Sequence, residues 1–357
     1  MNQLLFDILP IDFILERSKN YLNKNYQYLI GELKDKSKVE LFKNELLDLE
    51  KHALENNISD IPINWYFLDI LKTLLLFKPD ENKIEFIKNL FEQVTLNNNS
   101  LGISNLQFES NGFEYNIPLN LNGILGLHFG DNVVFNQDNQ YHRWEPNFIK
   151  ALEIIRSVNL QILYDINPLV KNVLVIESKD DSHGSMSPKN IMGSVYLPDV
   201  EDSTLIAECF IHECLHQYLY RLDHVSSIFN NNEGNEELYY SPWKEEPRPL
   251  NMVLHGAFVF TGVMLFYHEL CKKDLPNNFI NTFKERIAYR YTQVNIALTV
   301  LENNNKFSKF GNDIFGILKG YLDDIHNSEY FDNSMQIDSA LDHLSKFANK
   351  DYKHVSI

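Results

Sequence analysis

His212-Glu213-Cys214-Leu215-His216 is the stretch whose reading decides the rest of this chain. An α-helix turns once every 3.6 residues, so His212 and His216 project from one face about a turn apart. Two imidazoles placed that way can share one metal ion, and Glu213 can reach a water held on that ion. The pattern means this only inside a helix. Residues 203–222, STLIAECFIHECLHQYLYRL, contain no Pro or Gly, and Asp202-Ser203 supplies a cap. The spacing therefore predicts a helix over 203–222 with a metal-ligating face. The competing reading is a helix whose two histidines are packed in a core or left on the surface.

Upstream of this helix the pattern changes period. Residues 171–178 (KNVLVIES) and 190–198 (NIMGSVYLP) read as strands, separated by a polar loop over 179–189. The second runs almost directly into the metal helix. A strand at a sheet edge can also add an extended peptide through backbone hydrogen bonds. Residues 147–158 read as a helix. Alternation flanks Asn111-Gly112 in ISNLQFESNGFEYNIPLNL, which predicts a hairpin. The glycine-rich run NLNGILGLHFGDN is followed by no lysine and lacks a phosphate-loop pattern. His128 and His142 are isolated and read as structural or exposed.

Residues 1–95 carry apolar positions at three- and four-residue spacing, as in SKVELFKNELLDLEKHALENN and INWYFLDILKTLLLF. They read as an N-terminal helical lobe, with Trp65, Tyr66 and Phe67 in its core. Residues 96–200 form a β-containing segment with the hairpin and the edge strand. Residues 201–357 form a helical metal-binding catalytic region, interrupted by the loop 229–234 and by the Pro- and aromatic-rich YYSPWKEEPRPL. The fold class expected is α+β and predominantly helical. It places a zincin-like metal helix next to a small β-sheet.

The chain has 357 residues, 44% hydrophobic and 13% aromatic, enough for a large core in two or three lobes. Its 49 acidic against 32 basic residues give a net charge of −17, which argues against nucleic acid as a partner. Cys209, Cys214 and Cys271 show no paired spacing, as expected of a reducing, cytoplasmic compartment. The N-terminal MNQLLFDILPIDFILE carries Asp7 and Asp12 and no basic start, unlike a signal peptide. The most apolar run, MVLHGAFVFTGVMLFYHEL, contains histidines and a glutamate and reads as a buried helix rather than a membrane span.

Two histidines need a third protein ligand. The short-spaced metalloprotease pattern would put Gly at 219 and His at 222, where this chain has Leu219 and Leu222. A glutamate from a later segment is a second source, with Glu233, Glu236, Glu237, Glu245 and Glu246 available. The third is His255, 39 residues after His216, in an apolar helix. A buried histidine must satisfy its ring nitrogens, and ligation would do that for one of them. Gly256 beside it would let two helices approach closely. The alternative for His255 is a core histidine bonded to a carbonyl.

HECLH together with SPW-x-x-x-PRPL-x-x-x-LHG, residues 241–256, resembles the HExxH-motif family of peptide-modification proteins. The resemblance covers roughly residues 193–260. That family is found with pathways making ribosomally synthesised, post-translationally modified peptides. Its members resemble zinc peptidases, and some act as iron(II)/2-oxoglutarate-dependent hydroxylases. The resemblance implies His212, His216 and His255 as metal ligands and a ribosomal precursor peptide as partner.

As a zinc peptidase, the protein would use Glu213 as general base. As an iron(II) oxygenase, three protein ligands would leave positions for 2-oxoglutarate and dioxygen, and Glu213 would sit behind the ligands. The discriminating feature is a cation for the distal carboxylate of 2-oxoglutarate, for which arginine's fork is suited. Arg248, seven residues before His255, is the first candidate and Arg290 the second. Tyr240, Ser241 and Trp243 share the loop of Arg248 and are expected to line the site. A third reading, a non-catalytic peptide-binding protein with a structural metal, would need four side-chain ligands, and no such set is apparent. The oxygenase reading leads, acting on side-chain carbons of the precursor.

Overall fold

Apolar residues at helical spacing dominate this sequence, and the computed structural model is correspondingly 70% helical with one small sheet of a few strands. It describes residues 8–34, 54, 68, 105–110, 113–118, 133–135, 140–159, 165–166, 168–178, 184–230, 237–332 and 338–347. Most of the expected N-terminal lobe, including Trp65, Tyr66 and Phe67, lies outside the described residues, as do the glycine-rich run 120–132 and His128. The chain divides into two compact units. One comprises residues 9–153 and 163–206, the other 1–8, 154–162 and 207–357.

The first of these holds helix α1 (Ile11–Lys34) and the sheet. Ile14, Ser18, Leu22, Tyr26, Ile30 and Leu33 form the fully buried stripe of α1, at the three- and four-residue steps a helix requires. Strands β1 (Asn105–Ser110) and β2 (Phe113–Pro118) pair antiparallel from Asn105↔Pro118 to Ser110↔Phe113. That register is the hairpin expected around Asn111-Gly112. Strand β3 (Val133–Phe135), which the sequence did not suggest, pairs antiparallel with β4 (Asn172–Ser178). Strand β5 (Ser194–Pro198) runs parallel to β4 and is buried along its length, as parallel strands are.

Two boundaries differ from the sequence reading. The strand expected over 190–198 begins only at Ser194, because a 3-10 turn (Lys189–Ile191) and Gly193 with φ of 88° precede it. Only glycine adopts such a φ without strain. The Gly193 carbonyl there accepts from the backbone of Lys171 and Asn172. The backbone of Tyr196, at the centre of β5, exchanges two hydrogen bonds with Met186 at 2.9 and 3.0 Å. The edge expected to receive a peptide is thus already engaged there by its own chain. Helix α2 (Gln140–Val158) begins seven residues before the expected 147 and contains Pro146. Tertiary packing outweighs the proline: Trp144 is buried, stacks on Phe148 at 4.8 Å and donates from Nε1 to the Pro198 carbonyl.

The second unit is helical. It contains α3 (Ser203–Val225, from Ala207 on), α4 (Leu250–Cys271), α5 (Asn277–Asn303), α6 (Lys309–His326) and α7 (Asp338–Phe347). A two-stranded ribbon, β6 (Leu238–Tyr239) with β7 (Arg248–Pro249), closes the loop 240–247 in front of α4. Helix α4 is the core of this unit and packs along α5 and α6. It is the one described helix long and apolar enough to cross a bilayer, and 72% of that apolar window is buried inside the protein.

Candidate metal centre

Helix α3 starts where its cap predicts. The Asp202 carboxylate accepts from the backbone N–H of Thr204 at 2.8 Å and of Leu205 at 3.2 Å, satisfying two donors that a helix start leaves open. Cys214, Leu215, Tyr218, Leu219 and Leu222 are fully buried and anchor its inner face. His212 and His216 flank that face half-buried, 4.9 Å apart between ring centroids.

His255 comes from the second turn of α4. Its Nδ1 lies 3.1 Å from Nδ1 of His216, with ring centroids 5.3 Å apart. Two nitrogens bound to one metal at about 2.0–2.1 Å stand about 2.9–3.4 Å apart. The pair is therefore at the spacing of two ligands sharing an ion, and equally of two neutral imidazoles sharing a proton. His212 borders this pair. Among the described residues no group of three or more His, Cys, Asp or Glu side chains is already arranged to hold a metal ion. What the geometry offers is a pair at ligand spacing, His216 and His255, with the His212 ring beside it.

The glycine that lets α4 approach α3 is not Gly256. A Cβ on Gly262 would collide with Cδ1 of Leu215, so Gly262 makes the close approach. Gly256 faces the indole of Trp243, whose Cε3 and Cζ3 occupy the place of a Cβ. The expectation that Gly256 brings the two helices together is corrected on this point. A sequence shows that a glycine follows His255 but not which neighbour that face of the helix meets.

Electrostatics favour neutral, ligand-ready imidazoles. Burial, then the neighbouring His216 and Arg290, hold His212 well below the ordinary imidazole range. Burial lowers His216 to about 4. Metal binding requires this unprotonated form. Burial and the Glu213 carboxylate push the Cys214 thiol well up, so it offers no thiolate. Glu213 is 2% exposed, with Oε1 3.9 Å from Nε2 of His212.

The two arginines separate clearly. Arg290, on α5, lies over the Phe260 ring at 4.0 Å, and that ring meets His212 edge-on at 4.8 Å. Its guanidinium donates to Gln293 at 2.9 Å and reaches Glu208 only at 3.5 Å. Arg248 lies in the β6–β7 ribbon, with Glu246 at 3.9 Å as its ion-pair partner. Of the two candidates, Arg290 is the one whose contacts lead through Phe260 to His212. Sequence distance to His255 favoured Arg248, but the helix pairing brings in α5.

The loop residues divide as well. Trp243 stacks on Phe260 at 5.3 Å and so walls the same group. Ser241 is buried, and the Tyr240 hydroxyl lies 2.7 Å from Nδ1 of His343 on α7. Three residues were not anticipated: Phe260, Glu208 and Tyr220. Glu208 is buried one turn before His212, and its Oε2 takes the Tyr267 hydroxyl at 2.6 Å and Arg286. Tyr220, one turn after His216, packs its ring 4.7 Å from His255, and burial raises its phenol to about 12. A signal for two of them was present: Glu208, His212, His216 and Tyr220 recur every four residues on one stripe.

No protein-family model matches the chain, and no curated protein matches it.

Proposed function

We propose that this protein is a cytoplasmic iron(II)/2-oxoglutarate-dependent hydroxylase of a ribosomal precursor peptide, with a metal helix of the zincin type and an N-terminal helical lobe. The single observation that carries this reading is the meeting of His216 and His255 at 3.1 Å beside His212, with an arginine one aromatic ring away. His212, His216 and His255 would hold the metal. Iron(II) supplies, when bound, the activation of dioxygen coupled to decarboxylation of 2-oxoglutarate. The overall stoichiometry is R–H + O2 + 2-oxoglutarate → R–OH + succinate + CO2.

The chain's own residues have distinct tasks. His212 and His216, kept neutral by burial, present lone pairs, and His255 brings the third imidazole. Arg290 is the cation for the cosubstrate's distal carboxylate. Its side chain is 22% exposed, and its contact with Glu208 Oε1 is long, at 3.5 Å, while Tyr267 and Arg286 hold the other carboxylate oxygen. Phe260 and Trp243 wall the group and exclude water on that side. Glu213 stays behind His212 as a buried carboxylate, its Oε1 3.9 Å from Nε2 of that ring. The three buried free cysteines agree with a reducing compartment.

Anaerobic addition of iron(II) and 2-oxoglutarate is expected to give a visible charge-transfer band, and turnover with peptide should release succinate and add one oxygen to it. Peptide cleavage under zinc, with no succinate, would instead establish the peptidase reading with Glu213 as base. Metal binding with neither reaction would leave the structural-metal reading.

A further inference from the structure

His255 is the one member of the histidine group that α3 does not carry, so its ring must be brought into register with a helix it is not part of. Two rings from α3 bound it. His216 lies 5.3 Å away at an interplanar angle of 22°, and Tyr220 lies closer, at 4.7 Å and 40°. Tyr220 also runs alongside His216, 6.1 Å away at 20°. The three rings therefore form one packed group, with the phenol ring against the imidazole from α4 and alongside that from α3.

An imidazole on a helix retains a soft second torsion, which a flat neighbour restricts. Outer-layer groups that orient metal-ligating histidines are worth about 10–100-fold in metal affinity. We propose that Tyr220 is a positioning residue whose ring, rather than its hydroxyl, sets the plane of His255 for ligation. This rests on the reading of the three histidines as metal ligands.

The test uses the full-length protein, cobalt(II) alone as the probe, and its visible absorption as the readout. Wild type should show ligand-field bands that His255→Ala abolishes. Tyr220→Phe should keep the bands and bind within about twofold of wild type, and Tyr220→Ala should bind roughly 10–100-fold more weakly with shifted bands. Wild-type affinity and bands in Tyr220→Ala would overturn the inference, and so would Tyr220→Phe behaving as badly as Tyr220→Ala, which would assign the effect to the hydroxyl. Absence of His255-dependent bands in wild type would instead overturn the metal reading, and this inference with it. If Tyr220→Ala lowers the thermal midpoint of the metal-free protein, Tyr220→Leu fills the space without a flat ring. Altered bands in that variant at an unchanged midpoint would support the inference, and unaltered bands would overturn it.

Discussion

The two flanks of the α3 histidines are built differently. Beyond His216, ring meets ring: His255 and Tyr220 pack against it and against each other. Before His212, an aromatic ring carries a cation: Phe260 lies between His212 and Arg290, and Glu208 anchors the arginines of α5. Both flanks hang on one stripe of α3, stepping through Glu208, His212, His216 and Tyr220. The difference teaches that a neutral, nitrogen-rich end and a cationic end can sit a turn apart on one helix. In the proposed reaction the first holds the metal and the second the anion.

The largest effect should come from breaking the nitrogen-rich flank. His255→Ala or His216→Ala is expected to lower iron(II) or cobalt(II) affinity by more than the roughly hundredfold that outer-layer changes cost. Titration followed by absorbance or calorimetry checks this. Metal affinity in His255→Ala equal to wild type would remove α4 from the ligand set.

The same flank should respond to acid. Burial disfavours the charged form of His216 and lowers it from the ordinary 6.5 to about 4 in the folded protein. A folded value below the unfolded one means the unfolded chain binds more protons. The contribution is present above pH 6.5 and lost as pH falls towards 4, on the order of 3 kcal/mol at most. His212 is shifted in the same direction. Metal-stripped protein should therefore lose thermal stability from pH 6.5 to 4, and His216→Gln should flatten that slope. An unchanged slope would mean that His216 is not buried neutral.

On the cationic flank, Arg290→Ala should raise the 2-oxoglutarate requirement about 10–100-fold, the worth of a charge-assisted contact of about 1.5–3 kcal/mol. The peptide requirement should change little, and Arg248→Ala should change either by less than about twofold. Equal effects of the two arginine substitutions would erase the contrast between the loop and α5.

Much of the site's first half was legible in the sequence. The cap at Asp202, the helix after it and the HExxH face follow from local spacing, as do the hairpin, β4 and α4. Local spacing says nothing of which helices meet. Arg290 lies over Phe260, 30 residues earlier on another helix, and no periodicity links the two. Tyr220 and Glu208 stood on the legible stripe, but their roles depend on partners from α4 and α5. The strand boundary at Ser194 was missed for a related reason, since a positive φ at Gly193 is decided by the backbone of Lys171 and Asn172.

The smallest effect sharpens the comparison through two glycines on one helix. Gly→Ala inside a helix gains about 1 kcal/mol of propensity, against about 1–3 kcal/mol for overpacking. At Gly262 the new methyl meets the end of the Leu215 side chain, which can turn aside, so the terms nearly cancel. At Gly256 it meets the fused ring of Trp243, which cannot bend and is stacked on Phe260. Gly262→Ala should therefore leave the unfolding free energy within about 1 kcal/mol of wild type. Gly256→Ala should displace the indole, measured as a shift in tryptophan emission, and weaken the anion flank through Phe260 while sparing cobalt(II) affinity. If Gly256→Ala weakened metal and 2-oxoglutarate binding equally, the two flanks would be one mechanical unit.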